Sequence, residues 1–315
     1  VLNGNVTAKQ DGKAVYLEGG KDLKREQTMI DRIFDFSNIT VLLLLGFTFV
    51  FPFYVVAINS FTAEKFLTAG TMALWPQELS TEAYKVLFNS NSKVLKAFFI
   101  SVSSTLVGTL QGLVIITLFA YAMAKERFPF KTPIMIVVIF TMMFSGGLIP
   151  TYMVFQSFGL TNSFYVLMIF NAFNVGYMIF IRNYFMSIPV SLPESARLDG
   201  AGEFTIFLRI MLPLSKPMLA CMGLFIAVTI YNDWTTPLFY NSNPDLTTLQ
   251  LLLKQVLTKI EALSVSGSAL SSRDVLPSEG VKAATIVVVV APILAAYPFV
   301  QKYFISGVWT GAMKE

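Results

Sequence analysis

The chain has 315 residues, 55% of them hydrophobic and only 13% charged, with a formal net charge of +4. That composition is too apolar for a soluble domain of this length and places the chain in a bilayer. It contains no histidine and one cysteine, Cys221, which excludes disulfide frameworks, Cys/His metal sites and histidine-dependent triads; no basic stripe with interleaved aromatics points to nucleic acid.

Residues 1–28 (VLNGNVTAKQDGKAVYLEGGKDLKREQT) are polar and rich in Gly and Lys, without the apolar core of a secretory signal. They are expected to form a flexible cytoplasmic extension ahead of a transmembrane domain over 29–315. A hydrocarbon core of roughly 30 Å needs about 20 apolar residues per helix. Six stretches meet this: Ile39 to Ser60, Ala97 to Met123, Pro133 to Phe158, Phe164 to Ile181, Leu212 to Ile230 and Ala283 to Phe304. The expected fold is all-α, a polytopic membrane protein with six transmembrane helices and both termini on one side. With the N-terminus inside, the inner segments carry 15 Lys and Arg against 8 outside. Lys125, Arg127 and Lys131 crowd into KERFPFK between spans two and three, and positive flanks resist translocation, so both termini read as cytoplasmic.

In the second span Gly108 and Gly112 are spaced for close helix packing. Spans three and four are joined by Gly159-Leu160-Thr161-Asn162, a tight turn in which Gly and Asn tolerate positive φ. Cys221, inside an apolar run, reads as a packed and inert thiol. In the outer loop from Asn232 to Lys282, Leu249, Leu253, Val256 and Ile260 recur at helical spacing, which fits packing on the bundle or docking of an external partner.

Leu192 to Pro213, LPESARLDGAGEFTIFLRIMLP, breaks the apolar pattern with five charged residues in 22. Ser191 and Glu194 have the spacing of a capping box, with Pro193 tolerated in the first turn. Glu194 is placed near the positive end of the helix dipole and three residues ahead of Arg197. Gly200 suits a C-terminal cap after about two turns, and Gly202 a second sharp turn. Phe204, Phe207, Leu208 and Met211 then give one apolar face ending at Pro213. Two such short helices need tertiary support or a partner; an amphipathic pair lying on the headgroups is the other reading.

Glu194-Ser195-Ala196, then Gly200, then Ile210, Leu212 and Pro213 resemble the EAA signature of permease subunits in bacterial ABC importers, with Ser195 in place of one Ala. STEAYKVLFNSNSKVLKAFFISVSSTLVGTLQGLVIITLFAYAMAKERFPFK, FSGGLIPTYMVFQSFGLTNSFYVLMI, YNDWTTPLF and YFISGVWTGAMKE are similar to carbohydrate-uptake permeases, in the subgroup serving complex oligosaccharides and polysaccharide fragments. The chain is comparable to the maltose importer's smaller permease. The resemblance implies a second homologous permease, two cytoplasmic ATPase subunits, an extracytoplasmic solute-binding protein and a glycan substrate, in the bacterial cytoplasmic membrane. It makes 191–213 the coupling loop, with Glu194, Ser195, Ala196, Arg197, Asp199, Gly200, Phe204, Phe207, Ile210, Leu212 and Pro213 serving ATPase coupling. It also implies that residues 307 to 314, GVWTGAMK, form a tail reaching the ATPase dimer interface.

No G-x-x-x-x-G-K-[ST] phosphate cradle occurs in the sequence, so the chain is expected to be non-catalytic, to bind no cofactor, and to leave ATP and Mg to partner ATPase subunits. The spans hold almost no ionisable groups, which disfavours an ion-coupled secondary carrier, and no nucleophile–base pair suggests a hydrolase. Tyr152, Asn171, Asn174, Tyr177, Tyr231, Asn232 and Trp234, in or at the ends of spans, suit carbohydrate stacking and amide contacts; each equally suits interhelical or interfacial duty. Within the family a smaller solute, a disaccharide or glycerol phosphate, is the alternative cargo.

Overall fold

The computed structural model describes residues 29–67, 73–89, 93–126, 128–171, 173–266 and 279–312; the extension over 1–28 and the end of the C-terminal tail, 313–315, lie outside them. Contacts divide the chain at Pro52 into two units. The first holds most of α1 (Met29–Ser60), whose Leu42, Leu43, Phe47 and Phe49 are exposed. From Arg32 to Ser60 this helix is long and apolar enough to cross a membrane. The second unit, Phe53–Glu315, carries the remaining elements.

In that unit a 3-10 turn (Glu64–Phe66) and α2 (Glu82–Leu87) lead into α3 (Lys93–Ala124). At about 1.5 Å per residue the helix is about 48 Å long, more than a hydrocarbon core requires, and it is apolar enough to cross a membrane. α3 packs along α7 (Val175–Ser187) and α11 (Lys216–Tyr231). Glycine permits this approach: a Cβ on Gly108 would lie 2.8 Å from Ile230 Cδ1, and one on Gly223 3.0 Å from Leu113 Cδ1. Ile116, Ala120, Met178, Ile181 and Ile226 form the fully shielded centre of the resulting core.

The third, fourth and fifth expected spans are interrupted. Pro133 to Phe158 is two helices, α4 (Lys131–Met143) and α5 (Leu148–Ser157), meeting at 118°. The corner is Phe144-Ser145-Gly146-Gly147, where Gly147 takes φ +85°, a conformation nearly free for glycine and costly for other residues. Phe164 to Ile181 divides into α6 (Phe164–Ile169) and α7, with Asn174 capping the second half through Oδ1 on the Tyr177 amide (3.1 Å). The fifth begins at Lys216 rather than Leu212, after an 81° bend between 203–214 and 216–231. Among the described residues two helices are long and apolar enough to span, or up to four spans if each bent pair counts as one.

Gly159 and Asn162 adopt the positive φ expected of the tight turn (+66° and +57°). α12 (Thr235–Tyr240) and a 3-10 turn (Pro244–Leu246) lead to α13 (Leu249–Ser266), which lays the buried Leu249 and the half-buried Leu252 and Leu253 on a second core with Leu87, Val94, Ala97, Tyr231 and Ala284; the Ile260 side chain lies outside the described residues. α14 (Glu279–Ala312) closes the chain and carries Pro292 and Pro298. Its first turn is held by Glu64, whose Oε1 and Oε2 accept the amides of Glu279 and Gly280, both at 3.2 Å. Leu106, Leu110 and Val114 on α3 and Ile136, Val137 and Phe140 on α4 are each more than half exposed, faces suited to lipid or a second membrane subunit.

Candidate functional site

The segment after α7 folds as α8 (Ser191–Leu198), α9 (Glu203–Ile206), a π-turn (Phe207–Met211) and α10 (Leu212–Leu214). The capping box does not form. Val190 already has helical φ and ψ, so Ser191 is inside the first turn and its side chain caps nothing, whereas a box needs an extended N-cap residue. At the other end Gly200 behaves as expected: at φ +83° its amide donates to Arg197 O (3.0 Å) and that of Ala201 to Ala196 O (2.9 Å), the paired bonds of a Schellman cap. Gly202 is extended at φ −70° and starts α9, so no left-handed turn is needed there.

The inward face of the second half also differs from the expected one. Ile206, Phe207 and Met211 are buried in the main core, while Phe204 is 68% exposed and Leu208 45%. Sequence from Phe204 to Leu212 is apolar on nearly every side, so helical spacing did not select a face. The π-turn, in which the Leu212 amide donates to Phe207 O, widens the helix and brings Ile206 and Met211, five residues apart, onto the side of Phe207. Ile210 and Leu212 pack partly against the same core, as does Ala196 of α8. Glu194, Ser195, Arg197 and Asp199 are exposed, as is Leu198, at 90%. Pro213 and Pro217 flank the bend at Ser215, and Tyr184 Oη donates to Leu214 O (3.1 Å) beside it.

Glu203, which the sequence reading did not single out, organises the charge here. Arg197 Nε donates to its Oε1 (3.0 Å), and Tyr121 Oη (3.0 Å) and Lys125 Nζ (2.8 Å) donate to its Oε2. Lys125 also sits 4.7 Å from the centre of the Tyr121 ring. Donation from Lys125 brings the Glu203 carboxyl down to about 2, against partial burial that pushes it up, with Tyr121 and Arg197 adding to the lowering. Arg197 thus turns across the Gly200 cap rather than back to Glu194. Beneath the loop lies a cavity of about 670 Å³ bordered by Tyr121, Lys125, Glu126, Glu194, Arg197 and Glu203. The available signal was Tyr121 and Lys125 at i, i+4 on the end of one helix.

The seven polar and aromatic path candidates separate into groups. Asn171 and Asn174 flank the break between α6 and α7, and Asn171 Nδ2 donates to Asp233 Oδ2 (2.9 Å) at the break between α11 and α12. Asp233 Oδ1 in turn accepts the amides of Thr235 and Thr236, both at 3.0 Å; an Asp ahead of Thr-Thr is a readable helix-start signal. Tyr177 Oη lies 3.1 Å from Thr229 Oγ1 beside these breaks. Asn232 accepts from Gln250 Nε2 (3.1 Å) and Trp234 has Lys254 5.4 Å over its ring, so both face α13. Tyr231 is buried and donates to Val289 O (2.8 Å), and Tyr152 packs near Tyr240 with ring centres 6.0 Å apart. Among the described residues no His/Cys/Asp/Glu group is arranged to hold a metal.

Interrupted apolar helices, a polar seam where two breaks meet and a charged loop anchored below define an all-α membrane permease. The chain belongs to the family of binding-protein-dependent transport system inner membrane components, whose model matches residues 112–310. It is 37% identical to Protein LplC of Bacillus subtilis (strain 168), over 91% of this chain and 97% of that one. It is 35% identical to the polygalacturonan/rhamnogalacturonan transport system permease protein YtcP of the same strain, over 91% of this chain and all of that one. A chain in the crystal structure of a bacterial ABC transporter involved in the import of the acidic polysaccharide alginate superposes with a TM-score of 0.77 at 27% identity, covering 89% of this chain and all of that one.

Proposed function

We propose that this chain forms half of the translocation pathway of an ATP-driven importer for an oligosaccharide or polysaccharide fragment, the other half being a second homologous permease. Two cytoplasmic ATPase subunits bind ATP and Mg and dock on loop 191–213, and an extracytoplasmic binding protein delivers the glycan. In this reading both termini and the loop are cytoplasmic, 29–315 is the transmembrane domain and 1–28 an extension of it.

The loop's two-sidedness carries the proposal: Ile206, Phe207 and Met211 are sunk in the bundle, while Leu198 and Phe204 point outward and are 90% and 68% exposed. Large apolar side chains on a charged segment gain by being covered, and a partner's cleft does that. Closure of the ATPase pair, transmitted through residues 191–213, would then drive a rigid-body transition between two bundle arrangements. Glycan cargo is supported by relatives named for polygalacturonan/rhamnogalacturonan and for arabinooligosaccharides, and by the seam of Asn171, Asn174 and Tyr177. Amides and aromatic rings suit a hydroxyl-rich ligand.

Reconstitution of the chain with its partner subunits tests the proposal. Expected are ATP hydrolysis stimulated by glycan-loaded binding protein and uptake that requires ATP. Uptake driven by an ion gradient without the ATPase would overturn it. A binding protein that retains only a disaccharide or glycerol phosphate would replace the cargo.

A further inference from the structure

We propose that Glu203 is the joint through which movement of loop 191–213 reaches α3, with Tyr121, Lys125 and Arg197 as the positioning residues that hold it in register. This rests on the importer reading above. The chain enters the loop from α7 through Pro189, and the buried Ile206, Phe207 and Met211 seat it on the core; two further connections lead from it back to the bundle. One is the chain itself, through α10 into α11, but it runs through the 81° bend at Ser215 flanked by Pro213 and Pro217. Pro213 has no amide to donate, so the backbone ladder is interrupted where the bend begins. The other is the Glu203 carboxylate. Its Oε1 is held from α8 by Arg197, and its Oε2 from the end of α3 by Tyr121 and from the next residue by Lys125.

The joint's strength is directional rather than energetic. Glu203 and Arg197 are 49% and 44% exposed, and exposed ion pairs contribute little to stability; burial of Ile206, Phe207 and Met211 already seats the loop. What the donors add is a fixed carboxylate plane between two helices, with both oxygens engaged. The Tyr121 ring is itself set by Phe207 and Phe185, at 4.9 and 5.9 Å between centres. α3 then runs the length of the unit against α6, α7 and α11, the helices whose broken ends meet at Asn171 and Asp233. A displacement of α8 passed to α3 therefore arrives at the polar seam without crossing the proline bend.

The test uses the assembled complex with its binding protein, in a Cys221→Ala background with Thr229→Cys beside the seam. Two quantities are read after adding ATP, Mg and vanadate: nucleotide trapped per complex, which reports ATPase closure, and the maleimide labelling rate of Thr229→Cys, which reports movement in the membrane. Expected for Glu203→Gln is retained trapping with the ATP-dependent change in labelling reduced about fivefold or more. Lys125→Met is expected to do the same, and the double variant to be no worse than either single one, as residues acting through one contact behave. Tyr121→Phe keeps the ring packing and loses only the hydroxyl, so it decides the matter if Glu203→Gln fails to assemble; a partial loss is expected.

Wild-type trapping together with a wild-type labelling change in Glu203→Gln overturns the joint, as does additivity of the two substitutions. Parallel loss of trapping and of labelling change in both Glu203→Gln and Tyr121→Phe also overturns it, in favour of a docking role. Absence of any ATP-dependent change in the parent complex would instead refute the importer reading.

Discussion

Gly200 and Gly108 need glycine for different reasons, and substitutions separate them. At Gly200 a Cβ would meet nothing within 4 Å, so the constraint is φ +83° alone. A left-handed conformation costs an L-residue about 1–2 kcal/mol, less for Asn. Gly200→Val is therefore expected to weaken substrate-stimulated ATP hydrolysis and Gly200→Asn to retain most of it; equal, normal stimulation in both would show that the cap does not govern coupling. At Gly108 space is limiting, since the added methyl meets Ile230 Cδ1 at 2.8 Å. Gly108→Ala is expected to lower the thermal midpoint in detergent by an amount equivalent to about 1–3 kcal/mol of overpacking. Ile230→Val, which deletes that Cδ1, is expected to recover part of the loss. Glu203 adds a pH signature. Its carboxyl falls from the ordinary 4.5 to about 2, so its contribution is complete above about pH 5 and disappears as pH falls toward 2. Solvent at this half-exposed site reduces the amplitude. Thermal stability of the wild type should fall more steeply across that window than that of Glu203→Gln, and parallel curves would show that the network contributes nothing.

At the scale of elements, the π-turn makes a prediction of register. Such a turn holds one residue more than an α-turn, and Leu208 within it is 45% exposed. Deleting Leu208 should close the turn to α-helical bonding and leave Ile206 and Met211 seated, so the variant should insert and remain folded. Deleting Val228 from α11, where no slack exists, should rotate Ile230 and Tyr231 out of the core by about 100° and abolish folding. Similar expression and melting of the two deletions would refute this account. The same elements show where sequence was readable. Gly159, Asn162 and Gly200 announced their turns because only residues tolerant of positive φ fit them. The corner at Gly146-Gly147 escaped because the apolar count runs straight through it. The face of 204–212 was hidden by apolar residues on every side. Glu203 was missed because two of its partners, Tyr121 and Lys125, are near it only after α3 and α9 have packed.

For the whole molecule, composition located the chain in the membrane and long apolar runs located α3, but run length alone did not reveal which helices are broken. Orientation is testable with single cysteines in a Cys221→Ala background. Leu198→Cys should react with a membrane-impermeant maleimide only from the cytoplasmic face, and Ser242→Cys only from the opposite one. The reverse pattern would invert the topology. With the ATPase subunits left out, nearly full exposure of Leu198 makes weak labelling from both sides an equally clear failure of the docking assignment, and adding them should protect Leu198→Cys.

The Glu64 cap on α14 has a meaning for biosynthesis. The amides it accepts lie 215 and 216 residues further along the chain, so this carboxylate stays uncapped by α14 until synthesis has passed Gly280. A chain cut before Glu279 therefore retains Glu64 without either amide donor. Glu64→Gln leaves one acceptor oxygen for the two amides, so hydrogen exchange at Glu279 and Gly280 should quicken; unchanged exchange would show that the cap does not hold the first turn of α14.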